Sequence, residues 1–343
     1  MATWEEVKDN PIKQDLITKR AQIIRLIREF FWSENFMEED TLSTWSTAGQ
    51  EPYLNPISLN ITNEKDQAQR FYLQTSPEYA MKKLLSVGEE NIFQICHCWR
   101  DRESFGGLHY PEFLMLEWYR KNKDYFQIMT DTENLFKYIS KNFGQEFLIY
   151  KDQKIKISEA WDRLTMREVW QKYLHLDLND YLTIESLKKL VAEKGYQVNM
   201  NDTYENLFYQ IFLNEIEQKL GREKPVIIYE YPATMASLSR LCPHDSRYTE
   251  RFEVYISGVE LANAFGELID GTEQEKRFLA EQELRKQLNQ ESLAIDKTLL
   301  KALNYMQDNQ ETASGIALGV DRLVMLFTGA DRIDDLFLTT LSS

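Results

Sequence analysis

Four short runs hold residue types that do chemistry. The first is R-F-E-V-Y-I-S-G-V-E-L-A at 251–262. Ser257-Gly258 suits a two-residue hairpin turn, which sets Tyr255 opposite Glu260, with Glu253 on the same face and diagonal to it. Like charges this close destabilise a sheet unless a cation lies between them. Mg²⁺ takes one or two carboxylates together with substrate phosphates. The hairpin therefore reads either as a Mg²⁺–phosphate site or as an exposed face of solvated acids. The second run is F-L-M-L-E-W-Y at 113–119. Alternation puts Phe113, Met115, Glu117 and Tyr119 on one face and Leu114, Leu116 and Trp118 on the other, the core face. A Glu and a Tyr beside a Phe suit a site for an amine and a flat ring; an ordinary half-buried strand is the plain alternative. The third is Arg100, a polar loop, then Pro111-Glu112-Phe113. A guanidinium across from an aromatic ring can clamp a phosphate and stack a base. The fourth is Gly315, Ala317 and Gly319, followed by Asp321-Arg322. Small residues at alternate strand positions allow close approach of a ligand or of another backbone. No G-x-x-x-x-G-K-[ST] occurs, and no G-x-G-x-x-G follows a strand, so neither a P-loop nor a Rossmann site is expected.

These runs need elements to hold them. Apolar residues at three- and four-residue steps predict a helix over 16–36. Residues 45–62 read as a loop entering a short strand, and 71–75 as a strand. Ser76-Pro77-Glu78 opens a helix, with Ser76 as N-cap, that stops near Gly88. Strands over 91–99 and 113–120 flank the polar loop as a long hairpin. Residues 125–221 read mainly as helices, with breaks near 150–155, 177–181 and 195–202. Strand character returns at 226–231 and 252–256. The charged helical segment 272–307 and Arg20, Arg25 and Arg28 are read as solvated helix faces.

The chain has 343 residues, with 40 Lys+Arg against 55 Asp+Glu and a net charge of −15. That balance disfavours broad, non-specific contact with nucleic acid, which depends on phosphate neutralisation. Hydrophobic content of 43% and aromatic content of 13% predict a folded core rather than disorder. Three cysteines, no Cys/His zinc spacing, no apolar leader and no run long enough to span a bilayer point to a reduced, cytoplasmic protein.

In this order, the runs resemble the class II aminoacyl-tRNA synthetase core of the lysine subgroup. Segment 16–42 resembles its first motif, R100…H-Y-P-E-F…E-W-Y its second, and G-I-A-L-G-V-D-R-L-V-M-L its third. Among such enzymes the chain is most similar to the ligases that attach (R)-β-lysine to elongation factor P. Shared segments include T-S-P-E-Y-A-M-K-K-L-L, P-E-F-L-M-L-E-W-Y-R and G-R-E-K-P-V-I-I-Y-E-Y-P-A. The resemblance implies an α+β fold: an antiparallel sheet flanked by helices, with a helical insertion at about 125–221. A short extension covers 1–15, the catalytic domain 16–343, and no anticodon-binding OB domain is expected. It also implies roles. Arg100 and Arg322 would be catalytic, Arg100 holding the ATP α-phosphate and Phe113 and Arg322 enclosing the adenine. Asp101, Glu103, Tyr110, Glu260, Leu261 and Gly319 complete the implied ATP set. Glu253 and Glu260 would hold Mg²⁺. Ser76, Pro77, Glu78 and Asn263 would meet the amino-acid head, Glu117, Tyr119 and Glu267 its ε-ammonium. Ala317 stands where lysyl-tRNA synthetases carry Gly, and its methyl reshapes the pocket for lysine or (R)-β-lysine.

Three positions depart from the pattern. Thr41-Leu42 replaces a Thr-Pro, Tyr110 replaces an Asn, and the loop after Arg100 is one residue longer, with Glu103 as the adenine-reading acid. The implied partners are elongation factor P and a second copy of the chain through 16–42. Charging of tRNA, or a catalytically silent binding protein, are the alternatives.

Overall fold

The structure is a computed structural model, described here for residues 4–151 and 153–338. Its strands are β1 (Met37–Glu38), β2 (Thr44–Trp45), β3 (Ser58–Thr62), β4 (Ala68–Leu73), β5 (Asn91–Trp99), β6 (Glu112–Lys121), β7 (Phe147–Tyr150), β8 (Gln153–Lys156), β9 (Asp162–Thr165), β10 (Val226–Pro232), β11 (Tyr248–Ile256), β12 (Val259–Gly266) and β13 (Ala313–Gly319). Its helices are α1 (Trp4–Lys8), α2 (Pro11–Ser33), α3 (Glu78–Ser86), α4 (Tyr125–Phe143), α5 (Met166–Leu174), α6 (Ile184–Glu193), α7 (Tyr204–Ile211), α8 (Gly271–Gln287), α9 (Lys297–Asp308) and α10 (Val320–Thr328). Eight strands form one sheet in the order β1-β5-β6-β13-β12-β11-β10-β9, antiparallel except at the two edge pairs. This is the expected α+β class.

Strand alternation divides the sheet into two faces. One rung of the core face runs Phe93, Trp118, Ile316, Ala264, Phe252. It is covered by α2, α4 and α10 through Phe31, Ile128, Phe136 and Val324. The opposite face carries the polar set. Helices α3, α8 and α9 cover it around Tyr119 and Phe265, and α5–α7 close it beside Tyr231 and Tyr255.

Several sequence expectations move. The first long helix starts at Pro11 and ends at Ser33, not 16–36, because Asn10 caps it by accepting from Lys13 N and Pro11 takes the first turn. That turn is exposed, so no apolar spacing marked it. Arg20 and Arg28 are half-buried and paired: Arg20 bonds the buried Asp321, and Arg28 bonds Glu38 at 2.7 Å, while Arg25 stays exposed beside Glu29. The stretch 125–221 contains a β7–β8 hairpin and supplies edge strand β9 to the main sheet. Its first helix, α4, belongs to the central core. The segment 272–307 is two helices and not merely a solvated face: Arg285 is buried and donates to the carbonyls of Glu51, Leu54 and Glu291. Ser76 is not the cap residue of α3; Pro77 holds that place, and the Ser76 hydroxyl accepts from Glu78 N.

Among the described residues, no helix is long and apolar enough to cross a membrane. The three cysteines are free.

Candidate active site

The polar face is organised by register. One rung reads Gln94, Glu117, Ala317, Asn263, Glu253 across five strands. The next reads Ile92, Tyr119, Gly315, Phe265, Arg251. Ser257 and Gly258 both have positive φ, 54° and 75°, as a type I′ turn demands. Tyr255 pairs with Glu260 as the hairpin reading requires, but Val254 pairs with Ala262, so Leu261 is an extra residue. This bulge turns Glu260 and Asn263, three apart in sequence, onto one face. Strict alternation would have sent them to opposite faces.

Two adjoining cavities of about 310 and 410 Å³ lie on this face. They share Leu54, Arg100, Met115, Asn263 and Ala317. The first is lined by Glu103, Phe113, Glu260, Leu261, Gly319 and Arg322. The second is lined by Ser76, Glu78, Tyr119, Glu267 and Gly315, and α8 roofs it with Ala280, Glu281 and Leu284.

The first cavity sets two arginines, Arg100 and Arg322, among the acids Glu103, Glu260 and Asp321. The Arg100 guanidinium lies 5.0 Å from the Phe113 ring centroid, and its buried Nε has no protein partner. A buried guanidinium N–H without an acceptor is what an anionic ligand would satisfy. Arg322 is fixed at the other wall, donating to Glu260 O at 2.7 Å and Leu108 O at 3.0 Å. Asp321, next to it, has a different role: buried, it accepts from Leu114 N at 2.7 Å and from Arg20, tying α10 to β6 and α2. Glu103 receives His109 Nδ1 at 3.0 Å, and that bond holds its carboxyl below the ordinary range. The loop carrying both is pinned at Gly107 N by Asp334.

Glu260 and Glu253 are not equivalent. Glu253 is buried and accepts hydrogen bonds at both oxygens. Arg251 donates to one oxygen at 2.6 Å, and Tyr231 and Tyr255 donate to the other at 2.6 and 2.5 Å. Glu260 faces the cavity. Burial, then the charge of Glu253, raises its pKa, while Arg322, Arg251 and Arg100 oppose the shift. Glu217 is a further acid close enough to feel both, raised to about 7 by burial and then by Glu260 and Glu253. The set fits a divalent cation at Glu260, backed by the charge of two more carboxylates.

The second cavity is acidic, with Glu51, Glu78, Glu205, Glu267 and Glu281 in its lining. Glu117 is fully buried and accepts from Ser76 Oγ at 2.5 Å and from Tyr119 Oη at 2.6 Å. Burial, then Glu78, raises it to about 8. Tyr119 lies flat across Gly315, where a Cβ would come within 2.2 Å of its ring; only glycine leaves room. Glu267 is raised to about 7 by burial, against the opposing charge of Lys82. Lys82 Nζ sits 2.6 Å from both Glu267 and Glu78.

Placement of the expected residues is therefore mixed. Arg100, Glu103, Tyr110, Phe113, Glu260, Leu261, Gly319 and Arg322 share the first cavity. Ser76, Glu78, Tyr119 and Glu267 share the second, with Glu117 beside them on Ser76 and Tyr119. Asn263 and Ala317 lie at the junction. Asp101 does not join them; it lines a separate groove with Asn55 and Arg102. Pro77 is buried at the start of α3. Tyr110 packs against Phe337 at 5.5 Å. Phe113 and Arg322 line the same cavity, and Arg100 lies over the Phe113 ring. Lys82, Arg251, Tyr231 and Glu217 escaped sequence reasoning. Only Lys82 carried a local signal, four residues after Glu78 on the same helix.

Comparison with known proteins agrees with the geometry. Residues 6–339 match the tRNA synthetases class II (D, K and N). The elongation factor P–(R)-β-lysine ligase of Pseudoalteromonas translucida is 36% identical over 93% of this chain and 93% of its own. The same-named ligases of Edwardsiella ictaluri and Salmonella arizonae are 35% and 34% identical, covering 98% and 99% of this chain and 96% and 98% of theirs.

Proposed function

The chain belongs to the class II tRNA synthetases (D, K and N), and on that footing we propose that it activates (R)-β-lysine or lysine with ATP and transfers it to a lysine side chain of elongation factor P. The observation that carries this is the pair of joined cavities. One presents a buried, unpartnered arginine N–H; the other presents buried carboxylates; Arg100, Asn263 and Ala317 lie between.

Glu117 and Tyr119 would receive the terminal ammonium of the substrate, Glu117 as a carboxylate. A buried acid and phenol satisfy ammonium donors that a shorter or neutral side chain would leave unmet, which gives selectivity. Glu78 and Asn263 would orient the head of the amino acid, aiming its carboxylate at the α-phosphate held by Arg100. An O–P bond forms as the bond to pyrophosphate breaks, and the adenylate then meets an amine whose attack releases AMP. No protein nucleophile is required: positioning and charge neutralisation carry the reaction. Glu260 would hold Mg²⁺, whose chemistry is to neutralise phosphate charge as pyrophosphate leaves. Phe113 supports the ring of the base.

The enzyme would act in the cytoplasm as a homodimer. Trp32, Met37 and Leu42, in and just after α2, are 52%, 59% and 71% exposed, large apolar surface of the kind a subunit contact covers.

The test is direct. Incubate the protein with ATP, each lysine isomer, and either elongation factor P or tRNA, and weigh both acceptors. A mass increase of one β-lysyl or lysyl group on elongation factor P is expected. Aminoacylated tRNA with unmodified factor would replace this reading with tRNA charging.

A further inference from the structure

Outside the two cavities, three metal-ligating side chains converge. Glu230 ends the regular part of β10, and Cys242 and His244 come from the loop joining β10 to β11. One ligand atom from each lies within 4.8 Å of the others. His244 Nε2 is 3.2 Å from Glu230 Oε1. No other such group occurs among the described residues.

The backbone holds this arrangement from both sides. Glu230 has φ of +61°, a left-handed value rare for a non-glycine residue, at the point where β10 and β11 lose register. Cys242 N donates to Tyr248 O at 3.0 Å, and Leu241 bridges Thr249, so the Cys-Pro-His run returns alongside β11. The Cys242 thiol is buried and finds no hydrogen-bond partner among the described residues, while His244 is open to solvent. Arg240 and Arg247 are already committed to Glu250 and Asp245. Among the described residues, no cation pairs with Glu230 except His244 when protonated.

We propose that Glu230, Cys242 and His244 form a binding site for one zinc-type divalent metal ion. Thiolate, imidazole and carboxylate together are a donor set for Zn²⁺ or Co²⁺; Mg²⁺ and Ca²⁺ prefer oxygen alone. Binding releases the thiol proton to solvent and leaves a fourth position for water. The site clamps β10 to the loop 233–247. That loop also supplies Thr234, Met235, Ser237 and Leu238 to the acidic cavity, so its role is structural: it stiffens one wall of the site. This stands independently of the reaction proposed above.

Cobalt is the probe. Protein dialysed against a chelator and then titrated with Co²⁺ should show a thiolate-to-cobalt charge-transfer band and tetrahedral visible bands that saturate at one equivalent. Zn²⁺ should abolish them by displacement. Cys242→Ser should lose the charge-transfer band, and His244→Ala, an exposed position, should weaken binding at least tenfold. Cys96→Ser should leave the spectrum intact. Trypsin should cut the loop 233–247 more slowly with Zn²⁺ present. No thiolate band at one equivalent, or a band that survives Cys242→Ser or moves with Cys96→Ser, overturns the proposal. If Cys242→Ser does not fold, the wild-type titration and His244→Ala decide.

Discussion

Replacing Lys82 by Met tests how the acidic cavity is kept folded. The Nζ of Lys82 is 2.6 Å from carboxylate oxygens of both Glu78 and Glu267, and the Lys82 and Glu267 side chains are each only 2% exposed. Met keeps the volume and removes the charge. Removing one partner of a buried ion pair costs about 3–5 kcal/mol, because the remaining charge is stranded. The stranded acid escapes by taking a proton, which makes the deficit depend on pH. In the wild type, Glu267 already titrates near 7, above its ordinary 4.5. A raised carboxyl binds its proton more tightly folded than unfolded, so stability falls as pH rises through 4.5 to 7. Without Lys82 the folded pKa of Glu267 rises further, so in the variant this one group keeps costing stability above pH 7, where its contribution in the wild type has levelled off. The gap between the two should therefore widen from pH 7 to pH 9 by up to about 1.4 kcal/mol per unit. Urea unfolding of both proteins at pH 6, 7 and 9, with unchanged slope, measures it. A gap below about 1 kcal/mol at pH 9, or one that narrows as pH rises, refutes this account of Lys82.

Further outcomes follow from the same geometry. Glu117, raised to about 8, must ionise to meet an ammonium. Lysine binding at pH 7 should therefore release about one proton, and affinity should tighten by up to about tenfold per unit from pH 6 to 8, then level. Calorimetry in two buffers of different ionisation enthalpy reads this; pH-independent binding below 8 would exclude Glu117 as the ammonium's acceptor. Glu260→Gln should depress lysine-dependent exchange of pyrophosphate into ATP by roughly 100-fold or more, since it faces the cavity unpaired. Ala317→Gly should raise activation of α-lysine relative to (R)-β-lysine by about tenfold, the scale of one methyl in a pocket; an unchanged isomer ratio in the exchange assay counts against a pocket role for that methyl. Sedimentation at micromolar concentration should give a dimer, and Trp32→Glu a monomer.

Local patterns carried much of the site. Ser257-Gly258 dictates a type I′ turn because both positions need positive φ, and that alone sets Tyr255 against Glu260. Alternation in 113–119 separates Trp118 from Glu117 and Tyr119, since a strand has period two. The glycine at 315 marks where Tyr119 lies close. These readings needed only neighbours in the chain. What they could not reach is pairing between distant segments. The bulge at Leu261, which puts Glu260 and Asn263 on one face, is a matter of register between two strands and leaves no mark in composition. Arg20, read as solvated from its helix, turns inward because Asp321, 301 residues away, is buried beneath it. Lys82 of α3 and Glu267, just after β12, meet only in the folded chain. The triad Glu230, Cys242 and His244 is likewise invisible to spacing rules, because its ligands sit on two segments that only the sheet brings together. Sequence determined which side of each strand bears chemistry; the tertiary structure decided which charges face one another, because burial and Coulomb energy depend on distance in space and not along the chain.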